Sequence, residues 1–122
     1  MDPVSLAVWT LTVAVAAGTI LALWHLRATD RTGQPPLAAG IAHGIVGTAG
    51  LAVLGFALRG PARGGGAGVG SFGSIAALLF VGAVVTGVAT LLLRRRKPIV
   101  MAVHAGIAIT GYVLLLAWNA LG

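Results

Sequence analysis

Four long apolar runs, separated by short polar or glycine-rich stretches, dominate the pattern of this chain. They cover about residues 4–26, 37–58, 72–93 and 98–121, and none contains Asp, Glu, Lys or Arg. A helix of about 20 residues, rising about 1.5 Å per residue, crosses a bilayer core of about 30 Å. Because backbone polar groups in lipid must be satisfied within the segment, the runs predict transmembrane α-helices.

Composition supports the same class of protein. Only 8% of the residues are charged, whereas soluble domains carry about 25%, and the mean hydropathy is +1.02. The predicted fold is an all-α integral membrane four-helix bundle, with residues 1–122 as a single transmembrane domain. The first run follows Met1-Asp2-Pro3 without a basic segment, so it is predicted to be a retained helix rather than a signal peptide. No cysteine is present, which excludes disulfides and thiolate metal ligands.

The net charge of +6 lies at the ends of the apolar runs. This is the pattern of membrane topology, and it argues against a nucleic-acid partner. The first and third connections carry Arg27, Arg31, Arg94, Arg95, Arg96 and Lys97, and the second carries only Arg59 and Arg63. The positive-inside rule therefore predicts that the side with the first and third connections is cytoplasmic. Both termini then lie outside.

The second connection, residues 59–71, is a glycine-rich loop that we expect to be mobile on the outer side. Trp9 and Trp118 fall near the outer boundary of their runs, where we expect them to act as interfacial anchors.

Two of the runs contain a similar histidine segment, IAHGIVGTAG at 41–50 and AVHAGIAITG at 102–111. The spacing from each histidine places the matched residues on one helix face. The matched pairs are His43 and His104, Gly47 and Ala108, Gly50 and Gly111, and Leu54 and Leu115. The match suggests a duplicated two-helix unit, although the first and third runs resemble each other poorly.

Both histidines lie about 9 Å into their helices from the same membrane side. If the two helices face each other, the imidazoles can approach one object from opposite sides. Haem iron takes two axial ligands, and neutral imidazole is a common one. The small residues Gly47, Gly50, Ala108 and Gly111 would let the helices lie close to a flat porphyrin.

A structural interpretation of the same residues stays open. Small residues in membrane helices often serve close helix packing, and a histidine can hydrogen-bond across a bundle. Two ionisable residues at equal depth favour a functional site, since such residues are costly in lipid. His25 lies near the cytoplasmic end of the first helix beside Trp24. It is predicted to be an interfacial anchor, with contact to a haem propionate or a quinone head group as the alternative.

These features resemble small bacterial four-helix b-type cytochromes of the cytochrome b561-like kind. The resemblance rests on His43 and His104, the small residues after them, and the helix start at Lys97-Pro98. It implies a bacterial inner-membrane protein that binds haem b through two histidines and exchanges electrons with quinone or a partner redox subunit. The outer half of this chain has no histidine, so we expect one haem, near the cytoplasmic side.

Other functions remain in competition with this one. The chain could be an accessory subunit of a larger respiratory or photosynthetic complex without a cofactor, or each histidine could hold a separate chlorophyll-type pigment. The sequence offers no nucleophile–base pair and no phosphate-binding loop, which argues against a conventional enzyme. Membrane lipid is the expected surrounding in every case.

Overall fold

Four long helices account for most of the protein. The computed structural model describes residues 1–30, 32–93 and 98–122. Within these ranges the helices are α1 (Pro3–Arg27), α2 (Leu37–Ala57), α3 (Phe72–Leu93) and α4 (Pro98–Leu121). Each is long and apolar enough to cross a membrane. The prediction of an all-α protein with four such helices is confirmed, and the bounds lie within one residue of those predicted.

Local sequence explains where the helices begin. Asp2 caps α1, because its carboxylate accepts hydrogen bonds from the backbone amides of Val4 and Ser5. Proline has no amide hydrogen to lose and a backbone angle suited to the first helical turn. Accordingly, Pro3 and Pro98 open α1 and α4, and Pro36 directly precedes α2.

The helices form a square in which consecutive helices are neighbours. The most extensive contacts join α1 to α2 and α3 to α4, and the smaller ones join α1 to α4 and α2 to α3. Helices α2 and α4 therefore lie on a diagonal, across the axis of the bundle. Because consecutive helices alternate in direction, α2 and α4 run the same way.

The two hairpins, α1–α2 and α3–α4, bury equivalent positions. Each buried residue of α1 has a buried counterpart in α3, always the same number of residues further along the chain. The buried residues of α2 have counterparts in α4 in the same way. The pairs are Val4 and Gly73, Ala7 and Ala76, Leu11 and Phe80, Ala14 and Ala83, Gly50 and Gly111, Leu54 and Leu115, and Ala57 and Trp118. The separation of the α2–α4 pairs also joins His43 to His104. The first and third helices, whose sequences match poorly, thus occupy equivalent places in the structure.

The core is small and apolar, and the outside is apolar as well. Leu11, Leu54 and Leu115 are the largest fully buried side chains. Large side chains such as Ile45 and Leu78 are exposed on the outer helix faces, an arrangement that suits helices surrounded by lipid. No charged or polar residue is buried among the residues that the structure describes.

Trp118 departs from its predicted role. It is only 4% exposed and packs in the core, with its indole ring against Gly73. A Cβ at position 73 would lie 2.8 Å from two atoms of that ring, so the glycine makes the space that the indole fills. Trp9, by contrast, is 63% exposed, as an interfacial anchor requires.

A hydrogen bond between side chains joins α1 to α4. The hydroxyl of Thr12 donates to the Val8 carbonyl at 2.7 Å, so the hydroxyl of Tyr112 donates to the Thr12 oxygen, also at 2.7 Å. At the equivalent place between α2 and α3 stand Leu51 and Val81, which carry no hydroxyl.

The glycine-rich loop at residues 59–71 folds onto the end of the bundle, and its mobility stays a prediction. The Val69 amide donates to the Gly64 carbonyl at 2.9 Å, and the Val69 side chain is 5% exposed. Gly64 has a φ of 73°, a backbone conformation that favours glycine. Arg63 lies over the Trp118 ring at 5.7 Å, with its guanidinium 3.8 Å from the Asp2 carboxylate.

Candidate cofactor site between two histidines

His43 and His104 meet across the axis of the bundle. Their ring centres are 6.1 Å apart and their planes are inclined at 88°. The equal depth inferred from the two sequences therefore corresponds to a real juxtaposition, with the rings approaching along the α2–α4 diagonal. Two imidazoles that share one metal through bonds of about 2 Å have ring centres about 6 Å apart. The observed separation of 6.1 Å is compatible with two ligands of a single metal.

A glycine on the neighbouring helix makes room for each ring. A Cβ at Gly18 of α1 would lie 2.7 Å from Cε1 of His43, and one at Gly87 of α3 would lie 3.1 Å from Cε1 of His104. Both distances are shorter than an ordinary carbon–carbon contact of about 3.5–4.0 Å. The His43 ring therefore packs directly against the α1 backbone, and the His104 ring packs directly against the α3 backbone.

The His104 ring is fixed by hydrogen bonds to α3. Its Nδ1 lies 2.8 Å from the Ala83 carbonyl oxygen and 3.2 Å from the Thr86 hydroxyl oxygen. A carbonyl can only accept, so Nδ1 carries the hydrogen. The Thr86 hydroxyl donates in turn to the Gly82 carbonyl at 2.9 Å. This arrangement leaves the lone pair of Nε2 free, and a carbonyl bonded to the other ring nitrogen in this way orients a histidine to bind a metal.

The His43 ring has the same position but fewer partners. Its Nδ1 is buried and makes no hydrogen bond to the described residues. The Ala14 carbonyl, the counterpart of the Ala83 carbonyl, is close enough to interact with the imidazole but does not reach hydrogen-bond geometry. At the place equivalent to Thr86 stands Ala17, which has no hydroxyl. A buried nitrogen without a partner is costly, and it marks this ring as the less constrained of the two.

The small residues that follow each histidine face the neighbouring helix of the same hairpin. Gly50 packs against Leu11 of α1, and Gly111 packs against Leu79 and the Ala76 carbonyl of α3. A Cβ at Gly47 would lie 3.9 Å from that of Ala14. These contacts correspond to the close helix packing that the sequence left open, whereas the role beside a porphyrin stays a prediction. Ala108, the counterpart of Gly47, is half-buried.

His25 lies in the last turn of α1 and is half-buried. It follows Gly18 by two helical turns, about 10 Å, and so shares its helix face. The ring is therefore at the same end of the bundle as the histidine pair but outside the pair itself. Of the basic residues predicted to flank this end, Arg27 is exposed, and Arg31 and residues 94–97 lie outside the described residues.

Sequence reasoning missed four residues that hold the rings: Ala14, Gly18, Ala83 and Gly87. A signal was present, because α1 contains AVAAG at 14–18 and α3 contains AVVTG at 83–87. These segments share Ala-Val-x-x-Gly, and small residues four apart let helices approach closely.

The donor set suits a cofactor that brings its own ligands. No group of three or more His, Cys, Asp or Glu side chains that could hold a metal occurs in the described ranges. Two imidazoles alone do not fill the coordination sphere of a bare zinc ion, which takes four ligands. A haem needs only the two axial ligands from the protein. Such a group fits the separation of the rings and the free lone pair of His104. It also fits the space that Gly18 and Gly87 leave beside the rings.

Fold and site together define a class: an all-α bundle of four helices able to span a membrane, with two imidazoles paired inside it. Comparison with known proteins adds no family to this description, since no family model, no curated protein and no solved structure matches the chain.

Proposed function

We propose that this chain binds one haem b between His43 and His104 and serves as a membrane electron-transfer subunit. The observation that carries the proposal is the 6.1 Å separation of the two ring centres inside an apolar bundle. When bound, the haem would supply a reversible one-electron change at its iron. The protein would supply the two axial ligands, their orientation and a surrounding of low polarity.

The residues around the rings divide this work. His104 would bind through Nε2, because its Nδ1 hydrogen is held by the Ala83 carbonyl. Gly18 and Gly87 keep each imidazole close to the helix beside it. His25, on the same face as Gly18 and nearer the end of α1, is suited to contact a propionate. Leu11, Leu54 and Leu115 fill the core further along the bundle, toward its other end.

Sidedness and surroundings belong to the same proposal. The basic connections at the histidine end suggest that this end is cytoplasmic and that both termini lie outside, in a bacterial inner membrane. Electrons would pass to or from quinone or a partner redox subunit. The equivalent hairpins suggest that the chain arose from a duplicated two-helix unit.

An accessory role in a larger complex is the second candidate. Gly44 and Gly55 on α2 and Gly106 on α4 are exposed, and a Cβ at any of them would meet nothing within 4 Å. Outward-facing glycines suit close docking by another helix. In this case substitution of the histidines would change assembly rather than absorption. Separate pigments on each histidine are disfavoured, because rings 6.1 Å apart leave no room for two macrocycles between them.

The test is the reduced-minus-oxidised absorption spectrum of the protein purified from haem-replete cells. We expect a Soret band and a sharp α-band in the wild type, and loss of the six-coordinate spectrum in His43→Ala and His104→Ala. Ile45→Ala is the matched control, since it changes an exposed residue on the outer face of α2 close to His43 and should keep both bands. A folded wild-type protein without a Soret band would refute the proposal and favour the accessory role.

A further inference from the structure

The two imidazoles have equivalent places in the bundle but unequal support. Nδ1 of His104 donates at 2.8 Å to the Ala83 carbonyl and is 3.2 Å from the Thr86 hydroxyl. Nδ1 of His43 has the Ala14 carbonyl nearby but outside hydrogen-bond geometry, and no hydroxyl beside it. The missing hydroxyl follows from the sequence, because Ala17 stands where the other hairpin has Thr86. A hydrogen bond to the second nitrogen of a histidine orients the ring and strengthens its bond to a metal.

A groove leads from the outside of the bundle to the weaker ring. It has a volume of about 330 Å³ and lies between α1 and α2. Its walls include Ala17, Trp24 and Ala42, and His43 is its polar wall residue. The surrounding surface is the apolar outer face of two helices. Such a groove admits small uncharged molecules that dissolve in lipid and disfavours ions, which are costly to bring out of water.

We infer that the two histidines are unequal ligands: His104 is the fixed one, and His43 is the one that yields its place to a small neutral molecule entering through the α1–α2 groove. This inference rests on the proposed haem function. The class of molecule is a diatomic gas, and carbon monoxide is the probe. In the exchange, His43 would leave the haem iron as a neutral imidazole and CO would donate its carbon lone pair in the same place, so no electron or proton would be transferred.

The size of the inequality follows from the missing contacts. Loss of the hydrogen-bond partner of a metal-binding histidine typically weakens a metal site by about 10–100-fold. We therefore expect the His43 bond to be at least about ten-fold weaker than the His104 bond. In an equal pair CO would displace either histidine with the same ease, and neither ring would be the preferred leaving ligand.

Single substitutions test which ligand is fixed. We expect His43→Ala to retain haem on His104 and to bind CO more tightly than the wild type, since no side chain has to leave. We expect His104→Ala to retain at least about ten-fold less haem than His43→Ala. Equal retention in the two variants, or the reverse order, would overturn the inference. Far-UV circular dichroism establishes that each variant is folded, and the CO difference spectrum of the reduced wild type tests the exchange without any substitution.

Two substitutions at Ala17 distinguish the effect of a hydrogen bond to His43 from the effect of added side-chain volume in the groove. Ala17→Thr restores the hydroxyl that the other hairpin has, whereas Ala17→Val adds nearly the same volume to the groove without it. We expect Thr to lower the CO affinity about ten-fold relative to Val. Equal affinities in the two variants would show that the missing partner of His43 does not decide the exchange, and would overturn the inference.

The haem-free protein gives an independent readout. In nitrogen-15 NMR spectra of detergent-solubilised protein we expect His104 to be locked with its hydrogen on Nδ1 and His43 to populate both neutral forms. Two equally locked rings would contradict the inequality. The failures are distinguishable: a preparation without a Soret band refutes the proposed function and the exchange with it. A Soret band without a CO difference spectrum overturns only the present inference.

Discussion

Replacement of Gly18 or Gly87 by alanine is the sharpest perturbation of the histidine pair. The added methyl group would lie 2.7 Å from Cε1 and 3.2 Å from Nε2 of His43 in the first variant. In the second it would lie 3.1 Å from Cε1 and 3.4 Å from Nδ1 of His104. An ordinary contact is about 3.5–4.0 Å, so His43 must move by roughly 1 Å and His104 by roughly half as much.

These displacements translate into unequal stability changes. Overpacking of a well-packed site costs about 1–3 kcal/mol, and alanine regains about 1 kcal/mol over glycine inside a helix. We therefore expect Gly18→Ala to destabilise the bundle by about 1–2 kcal/mol and Gly87→Ala to lie close to zero. In the haem-loaded protein, Gly18→Ala should also change the Soret spectrum, because the ring that moves more is one of the two ligands.

The assay is unfolding of the purified protein in mixed micelles, followed by circular dichroism as the fraction of denaturing detergent rises. Gly44→Ala and Gly106→Ala are matched controls, since a Cβ at either position meets nothing within 4 Å. They should be neutral or slightly stabilising. If Gly18→Ala behaves like these controls in both stability and spectrum, the contact of His43 with the α1 backbone is not a constraint on the ring, and the reasoning fails.

Three further outcomes are expected. Tyr112→Phe should cost about 0.6 kcal/mol, the typical value of an interhelical hydrogen bond in membranes, and a double-mutant cycle with Thr12→Val should show that the loss is shared; fully additive costs would contradict the bond. Leu115→Ala should cost about 2 kcal/mol in the same unfolding assay, because replacing the isobutyl group by a methyl group leaves a cavity that costs about 24 cal/mol per Å³, and transfer to lipid adds little. A neutral result would mean that the core collapses to fill the cavity. The pKa of Asp2 is lowered, first by the Ser5 hydroxyl that donates to its carboxylate and also by the backbone amides. The cap is therefore present above the ordinary value of 3.8 and is lost as the pH falls through the lower folded-state pKa. Amide NMR shifts of the first turn that stay constant as the pH falls below 3.8, or that behave alike in Asp2→Asn, would contradict this.

Helix positions could be predicted from the sequence because lipid imposes a simple requirement. A run without charges that is long enough to cross the bilayer has to be a helix, since its amides and carbonyls have no other partners. The predicted limits at 37–58 and the observed α2 (Leu37–Ala57) differ by one residue. Proline at the start of a helix fixed two of these limits closely.

Helix orientation about its own axis was much harder to predict. A helix that is apolar on every side has no polar face to turn outward, so periodicity does not distinguish inside from outside. Trp118 was therefore assigned to the lipid interface although it packs in the core. The histidines were predictable because an ionisable residue in lipid faces the bundle interior. The glycines that pack against the two rings, Gly18 and Gly87, were not predictable in this way, because no ionisable residue lies beside them in their helices.

The hydroxyl pair of Thr12 and Tyr112 occupies a special edge of the square. Loops or turns of the chain connect α1 to α2, α2 to α3 and α3 to α4, so three edges are closed covalently, and the edge between α1 and α4 is the only open one. Because the two hairpins bury equivalent positions, a hairpin could otherwise pack on a second copy of itself as well as on its counterpart. The hydrogen bond at the unlinked edge, with apolar Leu51 and Val81 opposite, favours contact between an α1–α2 hairpin and an α3–α4 hairpin over contact between two copies of the same hairpin.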